Sequence, residues 1–151
     1  MPGKTEYRGL EASLDWRMDE TFGWNFELKP YVSLTKMFRY YNTEMRKNTG
    51  SVADLSVSYG LIFDDEDSGL RASVNAAYYG HQMPHYTTTQ VEFGGDTVVD
   101  LHLAKRLYQW ERGDRLFIKA DILNLTDKFY ETMRNYPEEG RSFMLGLRYE
   151  Y

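Results

Sequence analysis

Apolar and polar residues alternate along most of this chain with a period of two. Leu10, Ala12, Leu14 and Trp16 fall on one side of the first stretch, and Gly9, Glu11, Ser13, Asp15 and Arg17 on the other. Successive side chains of a strand point to opposite faces, so the pattern predicts β-strands with two unlike faces. The next stretch sets Trp24, Phe26, Leu28, Val32 and Leu34 against Asn25, Glu27, Lys29, Ser33 and Thr35. Pro30 lies within it and cannot donate a ladder hydrogen bond, which predicts a bulge or local break. The alternation returns over residues 53–63, 70–78, 99–103, 116–122 and 143–151, while helical spacing is nowhere sustained. This amounts to about seven strands, several of roughly ten residues, the length a tilted strand needs to cross a bilayer.

The connections alternate in length. Residues 19–23, 64–69 and 110–114 are short and rich in Gly, Asp and Glu, as tight turns are, whereas 40–50, 80–96 and 126–140 are long. Every second connection is short, so one edge of the predicted sheet carries the turns and the other the long loops. Outer-membrane barrels have this asymmetry, with short periplasmic turns and long external loops. A soluble antiparallel barrel of the lipocalin kind also alternates, with its apolar face inward. Aromatic residues near the ends of apolar-face strands (Trp16, Trp24, Phe63, Tyr78, Tyr149, Tyr151) favour the membrane arrangement, because such rings prefer bilayer interfaces.

Composition changes this picture little. A mean hydropathy of -0.63 coexists with 16% aromatic residues, thirteen of them Tyr. The low average leaves a membrane role open, because alternating strands average out as polar. No segment approaches the run of about 18 apolar residues that a membrane helix needs. With no Cys, disulfides, thiolate nucleophiles and Cys-based zinc sites are excluded. The net charge of -5 disfavours a nucleic-acid partner. The opening Met1-Pro2-Gly3-Lys4-Thr5-Glu6 has no apolar stretch of the kind a secretory leader carries, and the expectation is a truncated or engineered reading frame with a start Met.

The last third carries a more specific signal. Residues 118–131, Ile-Lys-Ala-Asp-Ile-Leu-Asn-Leu-Thr-Asp-Lys-Phe-Tyr-Glu, are followed by residues 136–151, Tyr-Pro-Glu-Glu-Gly-Arg-Ser-Phe-Met-Leu-Gly-Leu-Arg-Tyr-Glu-Tyr. Together they resemble the end of a TonB-dependent outer-membrane receptor. In that family an Asn-Leu-x-Asp-Lys-x-Tyr run closes the penultimate strand, a loop follows, and Gly-Arg opens a last strand ending on an aromatic residue. Asn124, Leu125, Asp127, Tyr130, Gly140 and Arg141 carry the resemblance, and Tyr7-Arg8-Gly9-Leu10-Glu11 is similar to a weaker family pattern at a strand start. Thr126 and the terminal Tyr151 depart from it, since an aromatic and a Phe are commoner there.

Physically, Asn124 and Asp127 can bond nearby backbone and turn the chain, and Gly140 can adopt positive φ before the last strand. The resemblance implies that the final strand (Phe143, Leu145, Leu147, Tyr149, Tyr151) is recognised by the barrel-assembly machinery, Tyr151 above all. It also implies a plug domain, a TonB-contacting segment and a barrel of 22 strands, for which this chain is too short.

Candidate chemistry is sparse. His81, Met83 and His85 cluster in a predicted external loop and could meet a soft metal or haem iron, but a solvated loop around Pro84 is the simpler reading. Asp100 and His102 share a polar face and could form a hydrogen-bonded dyad, yet no Gly-x-Ser-x-Gly nucleophile turn accompanies them. Arg39, Arg46 and Arg134 lie in or beside external loops, where receptors of this kind meet anionic ligands, but loop Arg is usually only solvated.

These readings lead to an all-β, antiparallel transmembrane β-barrel segment of about seven to eight strands spanning residues 1–151, with the plug absent. The expected protein is not an enzyme and holds no cofactor. It belongs in a bacterial outer membrane, contacting lipid and, through a missing N-terminal part, TonB, and imports an iron-siderophore, cobalamin or similar scarce ligand. The alternative is a self-contained small β-barrel that binds an apolar ligand.

Overall fold

The computed structural model describes residues 4–43, 47–48, 53–82, 93–133 and 135–151. Arg46, Met83, Pro84, His85 and Arg134 lie outside the described residues. The chain forms β1 (Thr5–Asp15), α1 (Met18–Phe22), β2 (Glu27–Asn42), β3 (Lys47–Asn48), β4 (Leu55–Asp65), β5 (Leu70–Tyr79), β6 (Asp96–Gln109), β7 (Arg115–Leu123), β8 (Glu131–Met133), β9 (Tyr136–Pro137) and β10 (Ser142–Glu150). One antiparallel sheet runs in the order β1-β2-β4-β5-β6-β7-β10, with β3 on the end of β2 and β8 paired with β9 in a separate hairpin. It is an up-and-down meander in which each long strand pairs with its neighbour in sequence. No helix among the described residues is long and apolar enough to cross a membrane, which says nothing about crossing by strands.

The connections alternate between two edges as expected, but 16–26 is nearly as long as 43–54, so the contrast of short and long holds for the later connections alone. Residues 16–26, 66–69 and 110–114 join strands at one edge, called here the turn edge, and residues 43–54, 80–95 and 124–141 join them at the loop edge. Strand β1 and strand β10 both run from the loop edge to the turn edge. Seven long strands make an odd number, so the two free edges cannot close on each other with antiparallel pairing. The sheet is open.

Three local expectations are corrected. Pro30 causes neither bulge nor break: Lys29, Pro30 and Tyr31 pair in unbroken register with Ile62, Leu61 and Gly60. Its nitrogen faces the far end of β1, where the ladder stops at Asp15 opposite Tyr31, and its carbonyl accepts from Trp16 N at 3.1 Å. Because the β1 ladder ends there, the missing donor costs at most one terminal bond. The irregularities fall instead at Phe38, opposite the step from Arg8 to Gly9, and at Leu107, between Arg106 and Tyr108.

The supposed tight turn at 19–23 is a single helical turn. Asp19 is buried against Arg17, Trp16 Nε1 donates to Thr21 Oγ1 at 2.8 Å, and Gly23 ends the turn at φ 71°, a left-handed conformation that suits Gly. Gly140, in contrast, does not have positive φ. It is small for another reason, because a Cβ there would stand 3.1 Å from Asp127 Oδ1.

Candidate functional site

The two faces of the sheet differ as the alternation foretold. On one, Leu28, Phe63, Ala72, Leu103, Ala120 and Leu145 are direct cross-strand neighbours from β2 to β10. Among the described residues nothing packs over this apolar face, and on β10 Leu145 remains 82% and Leu147 71% exposed. Burying a side chain of this size is worth about 1.5–3 kcal/mol, so a face built of them is costly in water unless something apolar covers it.

Aromatic rings line the apolar face along the turn edge. Trp16, Phe22, Trp24, Phe26 and Phe63 form a chain with successive centroids 6.0, 5.1, 5.2 and 5.5 Å apart. Tyr108, Trp110, Tyr149 and Tyr151 form a second, at 4.7, 5.8 and 6.3 Å. The Tyr149 hydroxyl donates to Asp114 at 2.6 Å, so these rings are apolar on their faces and polar at the tip.

The opposite face is polar and linked across strands. Arg71 reaches Asp64 at 3.0 Å and Glu150 at 3.2 Å, Arg115 reaches Glu66 at 2.6 Å and Glu150 at 3.2 Å, and Arg148 reaches Glu150 at 2.5 Å. Phe117, the most buried of the described side chains, sits on this face beneath the guanidinium groups of Arg71 and Arg148, at 4.7 and 5.2 Å from its centroid. The sequence reading missed this network. Its signal was present as Arg and Glu at the polar positions of successive strand ends, but Phe117 breaks the alternation between Leu116 and Ile118 and hid it.

Register shows how the sheet is shaped. Arg71 aligns with Ala104, Lys119 and Gly146 on the next three strands, and Glu150 lies four residues beyond Gly146. On a flat sheet the two Cα atoms would be about 20 Å apart, too far for an Arg and a Glu side chain to bridge, so the sheet twists and curls toward its polar face. Tyr31 likewise crosses β4 to donate to Asn75 Oδ1 at 2.6 Å. It does so over Gly60, where a Cβ would stand 2.8 Å from the Tyr31 hydroxyl. The ion pairs are partly exposed, Glu66 at 62%, and each contributes at most about 1 kcal/mol.

At the loop edge the Asn124–Arg141 segment is tied down by its own side chains. Asn124 is buried at φ 50°; its Nδ2 donates to Lys128 O at 2.8 Å and Glu139 O at 3.2 Å, and its Oδ1 accepts from Lys128 N at 2.8 Å. Its own N–H donates to Asp100 Oδ1 at 2.8 Å, and Leu125 N donates to Val99 O at 2.7 Å. Asp127, at φ 53°, accepts from Arg141 N at 2.9 Å. The backbone-turning roles expected for Asn124 and Asp127 are therefore present. Tyr130 stacks on Tyr79 with centroids 6.1 Å apart, and burial, then Glu138, pushes its hydroxyl pKa up. A cavity of about 330 Å³ lies between this segment and the polar face, lined by Tyr79, Asp100, Asn124, Tyr130, Glu138 and Ser142.

Other candidates fall elsewhere. Asp100 and His102 do not form a dyad, because Asp100 serves the Asn124 amide while His102 Nδ1 lies 2.9 Å from Asp121 Oδ1 on the next strand. Strand neighbours two apart on one face are separated along the strand, and each finds a closer partner sideways. Arg39 is on the apolar-side rim, 3.5 Å from Glu6 and stacked over Tyr41, away from the cavity. The His81 carbonyl accepts from Asp54 N at 3.3 Å and its ring lies against Gly95. Among the described residues no three His, Asp or Glu side chains are placed to hold a metal ion. Phe143, Leu145, Leu147 and Tyr149 share the apolar face of β10, with Tyr151 beyond its end. Comparison of the sequence with protein-family models and with curated proteins gives no match.

Proposed function

We propose that the chain is the C-terminal part of the transmembrane β-barrel of a TonB-dependent receptor in a bacterial outer membrane, taking up an iron-siderophore, cobalamin or similar scarce ligand. The observation that carries this reading is the direction of curl. A sheet that bends around its ion-paired face and leaves its apolar face outside is the inverse of a soluble ligand-binding barrel, in which apolar residues fill the interior. It suits a wall with lipid outside and water inside. The aromatic rows at the turn edge, the short turns 66–69 and 110–114 set against the long loops 80–95 and 124–141, and the Asn124–Arg141 segment that resembles the family's end all support it. On this reading Phe143, Leu145, Leu147, Tyr149 and Tyr151 contact lipid and form the signal for the barrel-assembly machinery. The loop-edge cavity lies on the ligand's side, and TonB acts through parts beyond this chain.

The test is made in cells that carry the gene. Disrupting its reading frame should remove the protein from the outer-membrane fraction and abolish uptake of one labelled siderophore complex or cobalamin, as should loss of TonB. Recovery of the protein only in soluble fractions, or uptake of every such ligand unchanged, rejects the reading.

A further inference from the structure

At the loop edge of the apolar face, Arg8 and Arg39 stand directly opposite each other on β1 and β2. Like charges in cross-strand register repel and destabilise a sheet unless an anion lies between them. Among the described residues Glu6, 3.5 Å from Arg39, is the carboxylate paired with it, and Arg39 also stacks over Tyr41. Among the described residues the Arg8 side chain has no hydrogen-bond or ion-pair partner. Lys36, the next cation down this face, is already held by Asp54 at 2.9 Å. The step between Arg8 and Gly9 faces the bulge at Phe38, which stands 67% exposed beside the pair. Immediately below begins the apolar band, with Leu10 opposite Lys36 and Ala12 opposite Leu34.

We infer that Arg8 and Arg39 together bind the phosphate of a membrane lipid whose acyl chains lie on Leu10, Ala12 and Leu34. Two guanidinium groups present paired N–H donors that match phosphate oxygens, and an anion between them turns a repulsive pair into an attractive one. A free phosphate offers the same oxygens. The lipid is favoured because the pair caps an apolar surface, so one molecule satisfies both. The aromatic rim at the turn edge has no such paired cations, so the preference belongs to the loop-edge leaflet alone. This inference rests on the membrane reading above.

The test uses the full 151-residue chain with vesicles of phosphatidylcholine alone or with one-tenth phosphatidic acid. The chain should float with both vesicle types. Spin-labelled phosphatidic acid should be enriched around the protein about fivefold over spin-labelled phosphatidylcholine, and the R8Q/R39Q double variant should lose that enrichment while still floating. The single Glu6→Gln variant, which removes the competing carboxylate, should raise it. Flotation without enrichment, or enrichment unchanged in R8Q/R39Q, overturns the inference and leaves the membrane reading standing. Failure of the wild-type chain to float with either vesicle overturns both. If millimolar inorganic phosphate displaces the lipid completely, the site recognises a free anion and the lipid assignment is wrong.

Discussion

At the residue scale, the side chain with most to hold is Asn124. One amide satisfies three backbone groups of the following segment while its own backbone sits at φ 50°. Asn124→Ala leaves those groups without their partner and holds Ala in a left-handed conformation that Asn tolerates better, at a combined cost of about 2–4 kcal/mol. Asn124→Gly relieves the second part alone and should recover about 1 kcal/mol of it. Urea unfolding of the two variants in lipid or detergent checks the order; equal stability of Ala and Gly would show that the backbone conformation contributes nothing. These roles were legible before the structure, because Asn and Asp at a strand end tolerate positive φ and bond locally. The Gly140 role was not, since small size and positive φ look the same in a sequence.

A second residue-scale expectation concerns pH. The Lys36 ammonium, bonded to Asp54, holds that carboxyl below the usual carboxylate range, as Arg17 does for Asp19. A depressed folded-state pKa adds stability that is present above the unfolded value, about 3.9, and is lost as pH falls through the folded value. Asp54 is 43% exposed, so its share is small. Lys36→Met should move the Asp54 titration upward in a carboxyl-carbon NMR experiment; an unmoved midpoint would mean the pair does not persist in solution.

At the element scale, β10 offers the cleanest contrast. Leu147 faces outward at 71% exposure, and Gly146 faces the polar side with nothing within 4 Å of a Cβ. In a bilayer Leu147→Arg is expected to cost about 2–4 kcal/mol near the midplane, while Gly146→Ser is nearly silent. The fraction folded in vesicles, read from the mobility shift of unheated protein on gels, measures both. Equal losses would mean that β10 is packed on both faces. Most strands were legible to within a few residues because period two is a strong signal when both faces are long. The helical turn at α1 was not, since five residues are too few to show a helical period. The harmless placement of Pro30 depended on where β1 ends, which no local pattern reveals.

At the scale of the whole molecule, the alternation could not say which face lies inside, because small and charged residues suit a water-filled lumen and a solvated exterior equally. Curvature supplies that information, and it arises from pairs such as Arg71 with Glu150 and Tyr31 with Asn75 that join residues on non-neighbouring strands. The odd number of long strands adds a constraint: a new antiparallel neighbour for β1 or β10 must run from the turn edge to the loop edge. An edge strand left unpaired invites association, so β1 and β10 are the places where a further strand would add.

The central claim is that the apolar face meets lipid and the polar face water, and β6 allows it to be read residue by residue. The chain has no Cys, so single cysteines at Leu101, His102 and Leu103 can each carry one fluorophore. With the chain in vesicles, nitroxides attached to lipid acyl chains should quench the label at Leu101 and Leu103, while aqueous iodide quenches it at His102. The inverse pattern, or equal quenching of all three by iodide, would contradict the account.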